Sequence, residues 1–158
     1  ISKYPKEAAE FAYKYLAERD VHCLLYQGKY NLFNREPEEE GILRQAKENG
    51  TGFIAFSPLA QGLLTNRYLN GIPEDSRMAR GGFLKKEQLT EDVLSKIKAL
   101  NKMAEERGQT LAEMALAWVL KDDLVTSVII GASSVAQLED NLKAIRNTSF
   151  TKEELRRL

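Results

Sequence analysis

Two segments, GFIAF at 52–56 and VTSVIIG at 125–131, are largely apolar and show no alternation of wet and dry positions. Runs of this kind suit parallel strands covered on both faces, because a strand with one solvated face must alternate. A third strand-like run occupies 22–27, and the intervals between these runs carry helical spacing. Ala8, Ala9, Phe11, Ala12, Tyr15 and Leu16 mark one helix over 5–19, with Pro5 in its first turn. Ile42, Leu43 and Ala46 mark a second over 36–49, with acidic residues at its N-terminal end and Gly50 as its stop. Further helices are predicted over 90–107, 111–121 and 135–146. Strands that alternate with helices in this order give an α/β architecture.

A closed parallel barrel needs eight strands, and three runs plus the end of another at Ile1 cannot close one. The expectation is that strands are missing or come from another chain. The sequence begins at Ile1 without an initiator methionine and stops at Leu158 within TKEELRRL, which reads as the first turns of a helix. Both ends look cut. Exposed parallel edges and an uncovered apolar face predict self-association or pairing with an N-terminal half-barrel.

The 158 residues fit one domain, with no low-complexity segment or linker, and 43% hydrophobic residues suffice for a core. The stretch 62–88, containing LNGIPEDSRMARGGF, is long for a loop and reads as a lid. With 23 basic and 23 acidic residues, no net field draws the chain to nucleic acid or an anionic membrane. One cysteine, Cys23, rules out an internal disulfide and suits a reducing, cytoplasmic setting, and one histidine, His22, makes no metal site by itself. No apolar run approaches a bilayer span, and ISKYPKEA lacks the apolar stretch of a signal peptide. His22, Cys23 and Trp118 read as packing residues, and the run Glu36 to Glu40 as a solvated helix start.

Three motifs carry polar groups to predicted strand ends, where ligands of parallel sheets bind. FSPLAQGLLTNRY leaves the strand at 52–56, and its Ser57 hydroxyl and following amides, loosened by Gly62, can hold diphosphate oxygens while Phe56 lies on an aromatic ring. Taken alone it is equally an ordinary strand cap with a core phenylalanine. IIGASSVAQLEDN runs from a strand through Gly131 into a helix with Ser133 placed as its cap, and Gln137, Asp140 and Asn141 follow on one face. A capped helix with a solvated polar face explains it as well. Gln27, with Ser2 and Lys3 at the end of the preceding strand, can fix a carboxamide, although lone Gln and Ser residues are usually loop polar groups.

Taken in order along the chain, IS-K-Y-P at 1–5, YQGKYNLFNR at 26–35, FSPLAQGLLTNRYLNGIPEDSR at 56–77 and LAWVLKDDLVTSVIIGASSVAQLEDN at 116–141 resemble the C-terminal half of an aldo-keto reductase. The likeness is greatest to the branch holding potassium-channel β subunits and bacterial L-glyceraldehyde 3-phosphate reductases. The resemblance implies the second half of a (β/α)8 TIM barrel, from the end of strand 5 to the start of helix 8, reducing aldehydes or ketones with NADPH. It implies that Ser2, Lys3 and Gln27 hold the nicotinamide end and that Phe56 stacks on it. Ser57, Pro58, Leu59, Ala60, Gln61 and Gly62 would line the diphosphate, with Arg67 and Arg77 adding positive charge. Gly131, Ser133, Gln137, Asp140 and Asn141 would receive the adenosine end. Asp140 stands where this branch commonly has Glu, and Arg67 where it has Lys. The family's catalytic Asp, Tyr, Lys and His belong to the first four strands, so the resemblance implies that this chain alone is inactive. The alternative it leaves open is a non-catalytic, dinucleotide-sensing half-barrel.

Overall fold

A computed structural model describes residues 1–74, 76, 78–79, 81 and 85–158. The elements in chain order are α1 (Lys6–Ala17), β1 (Leu25–Lys29), α2 (Glu36–Glu39), α3 (Ile42–Glu48), β2 (Gly52–Phe56), α4 (Glu91–Glu106), α5 (Leu111–Val119), β3 (Ser127–Ile129), α6 (Val135–Leu142) and α7 (Lys152–Arg157). They form two compact units, one of residues 1–58 and 119–130, the other of 59–118 and 131–158.

The first unit is built on a parallel sheet ordered β1, β2, β3, with Tyr26 beside Phe53, Gln27 beside Ile54 and Lys29 beside Phe56. Phe56 lies in turn beside Ile129. A parallel bridge from Ser2 to Gln27 adds the end of a further strand, as the sequence predicts at Ile1. The predicted run at 22–27 is shifted, because pairing with β2 begins at Leu25 and continues through Gly28 to Lys29. Gly28 belongs there for a packing reason: a Cβ on it would meet Phe53 Cζ at 2.6 Å.

Only one face of this sheet is buried, contrary to the expectation of cover on both. Tyr26, Gly28, Phe53 and Ala55 point into the core, where the Tyr26 and Phe53 rings stack at 5.4 Å. Leu25 and Ile129, on the other face, are 38% and 47% exposed. The continuous apolar character therefore records two apolar faces, of which this chain covers one.

The predicted helix at 36–49 is broken in two. Gly41, at φ 78, takes the left-handed conformation that ends α2, and α3 then buries Ile42, Leu43 and Ala46. Tyr30, fully buried, ties the outer layer together. Lys121 Nζ donates to its hydroxyl at 2.9 Å, the hydroxyl donates to Glu38 Oε2 at 3.2 Å, and Arg35 Nε donates to the same oxygen at 2.9 Å.

Burial pushes the Tyr30 hydroxyl far above the ordinary phenol range, helped by the Glu38 carboxylate, and burial pushes Tyr13 up to about 12 with a contribution from Cys23. Both folded values exceed the unfolded one of 10.0, so the folded chain holds these protons longer. The stability they contribute is complete below about pH 10 and is lost as pH rises through the folded values. Alkaline melts should show stability declining from about pH 10 upward, with Tyr13 and Tyr30, and also Tyr26, which burial raises too, titrating late in absorbance at the phenolate band. Phenols that all titrate together, with no loss of stability, would contradict this.

The second unit packs Ile97, Met103, Ala104, Leu111 and Met114 from α4 and α5 against Tyr68 and Met78. The described part of the predicted 62–88 lid thus delivers core side chains, and it contains short 3-10 turns at Asn66–Tyr68 and Lys86–Gln88. Thr90 caps α4, its Oγ1 accepting from Val93 N. The predicted helix at 135–146 is α-helical only to Leu142 and tightens into a 3-10 turn over Lys143–Arg146. Thr151 and Glu154 close a capping box at the start of α7. Among the described residues no helix is long and apolar enough to cross a membrane.

Candidate functional site

In the first unit the predicted residues lie along and beyond the strands of the sheet. Ser2 Oγ donates to Gln27 Oε1 at 3.3 Å, and Lys3 N donates to Gln27 O at 2.9 Å. Gln27 lies in the middle of β1 and not at its end, because the strand continues to Lys29. Phe56 closes β2, half-buried, with Lys3 Nζ 5.1 Å from its ring centre. Gln27 and Phe56 share the open face of the sheet, alternate strand residues pointing the same way. Lys3 and Ser57 both have left-handed backbones, at φ 56 and φ 53, a conformation that costs a non-glycine residue energy. Pro58, buried, follows Ser57.

Asn31 is a residue that the sequence motifs did not single out. It is fully buried, its Nδ2 donates to Ser57 O at 2.9 Å, and its Oδ1 accepts from Phe33 N at 2.9 Å. Its backbone exchanges two hydrogen bonds with Asn34. Asn31 therefore clamps the turn that leaves β2. The signal in the sequence was a lone amide inside YNLF, a place where an unpaired polar side chain would be costly.

In the second unit, Leu59 at φ −99 is followed by three left-handed residues, Ala60 at φ 47, Gln61 at φ 60 and Gly62 at φ 104. Left-handed residues in succession can turn amides toward one side, as in an anion-binding nest, although the amides of Gly62, Leu63 and Leu64 donate within the segment. Gly62 N donates to Leu59 O and Leu64 N to the same oxygen, while buried Leu63, Leu64 and Tyr68 anchor the segment. Arg67 sits on the exposed 3-10 turn beside Tyr68. Arg77 lies outside the described residues.

Gly131 and Ser133 are exposed and precede α6. The cap of α6 is Ser134 and not Ser133: Ser134 Oγ accepts from Gln137 N at 3.2 Å. Ser133 instead donates through both N and Oγ to Gln137 Oε1, at 2.7 and 3.0 Å, because the helix begins one residue later than the pattern implies. Asp140 is drawn to Lys143 at 2.6 Å, and this contact raises the lysine above its ordinary range. Asn141 is 5% exposed, and its Nδ2 has no hydrogen-bond partner. A buried donor without an acceptor is costly, and it suits a ligand atom that accepts.

Comparison with known proteins gives the family of the chain. The aldo/keto reductase family model matches residues 1–158. The chain is 50% identical over 159 aligned residues to an L-glyceraldehyde 3-phosphate reductase of Escherichia coli O157:H7, covering 98% of this chain and 46% of that protein. It is 40% identical over 128 residues to a probable voltage-gated potassium channel β subunit of Arabidopsis thaliana, covering 79% of this chain and 39% of that one. Among solved structures it resembles an aldo-keto reductase from Bacillus halodurans in its holo form, with TM-score 0.69 and 26% identity, covering 99% of this chain and 47% of that one. The chain spans about half the length of the relatives it matches. A family match along all 158 residues and an α/β fold shared with solved family members together make this chain a member of the aldo/keto reductase family.

Proposed function

We propose that the chain is the NADP(H)-binding, C-terminal half of a (β/α)8 reductase of aldehydes or ketones, and that alone it binds the cofactor without turning over substrate. The observation that carries this reading is the left-handed run Ala60, Gln61 and Gly62 after β2. Two of its three residues are not glycine, and strain of about 1–3 kcal/mol per such residue is characteristic of ligand-binding turns. The orphaned Nδ2 of buried Asn141 fits the same group, since a purine ring nitrogen is the kind of acceptor it lacks.

When bound, the cofactor supplies hydride to a carbonyl carbon. In the first unit Ser2 and Gln27 would meet the nicotinamide carboxamide, Phe56 the ring and Ser57 and Pro58 the phosphates; in the second, Leu59 to Gly62 and Arg67 would meet phosphates, and Gln137 and Asn141 the adenosine. The carbonyl oxygen also needs a proton donor. The Tyr26 hydroxyl donates to Tyr4 O, the Tyr30 hydroxyl is held between Lys121 and Glu38, and Tyr68 is buried, which speaks against these three phenols as the donor. The exposed Leu25 and Ile129 of the open sheet face support pairing with an N-terminal half-barrel that brings the missing donor.

Calorimetric titration of NADPH into the purified chain should give saturable binding, weakened about tenfold by Asn141→Leu, the loss of one hydrogen bond. Reduction of methylglyoxal or glyceraldehyde 3-phosphate should appear only when an N-terminal half is added. Turnover by the chain alone would remove the half-enzyme reading, and absence of NADPH binding would remove the cofactor reading.

A further inference from the structure

The Phe56 ring stands among cations. Lys3 is tied to β1 through its own backbone N–H to Gln27 O, and its ammonium lies 5.1 Å from the ring centre. Lys29 is the register neighbour of Phe56 on the same open face of the sheet. Among the described residues neither lysine forms an ion pair, although Glu36 and Glu40 line the same groove of about 470 Å³. The left-handed backbone of Lys3, φ 56, and the Ser2 bridge fix where its side chain starts, and its ammonium reaches over the Phe56 ring.

A nicotinamide ring differs between its two redox states by one positive charge: the pyridinium form is cationic, the dihydropyridine form neutral. A cation about 5 Å from the centre of the Phe56 ring would lie near a nicotinamide stacked on that ring and would distinguish the two states by charge. We infer that Lys3 makes this site select the reduced dinucleotide, by repelling the oxidised ring where it meets Phe56. This rests on Phe56 being the nicotinamide platform of the cofactor reading above. A unit charge repelled at this distance across a wet surface corresponds to roughly tenfold in affinity, and the discrimination declines as salt screens it.

The test compares dissociation constants of NADPH, NADP+ and 2′,5′-ADP by titration calorimetry, for the unaltered chain and for Lys3→Met and Lys3→Arg. The unaltered chain should bind NADPH about tenfold more tightly than NADP+. Lys3→Met should bring the ratio toward one by strengthening NADP+ binding, Lys3→Arg should preserve it, and 2′,5′-ADP, which has no nicotinamide, should bind all three equally. An unchanged ratio in Lys3→Met overturns the inference while leaving cofactor binding intact. So does an equal change for 2′,5′-ADP, which would show Lys3 acting on the phosphates. If none of the three ligands binds a chain whose circular dichroism shows it folded, the cofactor reading itself fails and this inference with it.

Discussion

Replacing Arg107 with alanine should lower the unfolding free energy by about 3 kcal/mol, the low end for breaking a buried ion pair. Arg107 is 5% exposed in its side chain and follows α4, yet nearly everything it touches comes from the end of the chain. Its Nη1 meets Glu154 Oε1 at 2.5 Å, its Nη2 donates to Ser149 O at 2.9 Å, and its guanidinium lies 3.8 Å from the Phe150 ring centre. Its Nε donates to Gln109 Oε1, and Gln109 Nε2 in turn donates to Asn147 O. Glu154 is 21% exposed and can recover water when the arginine is gone, which keeps the cost at the low end of the range. Arg107→Lys keeps the charge but loses the planar fork and should recover less than half of the loss. Urea melts give the energy, and amide exchange should show α7 opening first. If α7 stays protected in Arg107→Ala, the arginine is not its anchor.

Asn31→Leu should cost about 2 kcal/mol, because Ser57 O and Phe33 N lose their partners in a partly buried place. It should also weaken NADPH binding about tenfold, since the strained Ser57 turn would no longer be held ready. Asn31→Asp separates the two roles. It retains an acceptor for Phe33 N, loses the donor to Ser57 O, and should therefore harm cofactor affinity as much as leucine does. A purely structural Asn31 would lower stability in both variants and leave the affinity of the surviving folded protein unchanged.

The parts of this protein that could be read from its sequence are those whose causes are local. The helices α1 and α4 follow from apolar spacing, the start of α7 from TKEELRRL, and the parallel strands from largely apolar runs. The candidate residues Ser2, Gln27, Phe56 and Ala60 to Gly62 came from family resemblance, and in the first unit Ser2 bonds Gln27 in the middle of β1 while Phe56 closes β2. Asn31 was missed because its partner Ser57 is 26 residues away, and a lone amide in an apolar run gives no sign of what it will clamp.

The α/β order and the family are written in the sequence, since periodicity and motif residues are properties of neighbouring positions. Only the tertiary structure decided that Gly41 would split one predicted helix, that Ser134 and not Ser133 would cap α6, and that one face of the sheet would stay uncovered. It also decided that Arg107 would hold α7, 47 positions away at Glu154. These outcomes depend on which groups meet after the chain has closed on itself, and a buried polar group takes the partner that packing leaves within reach.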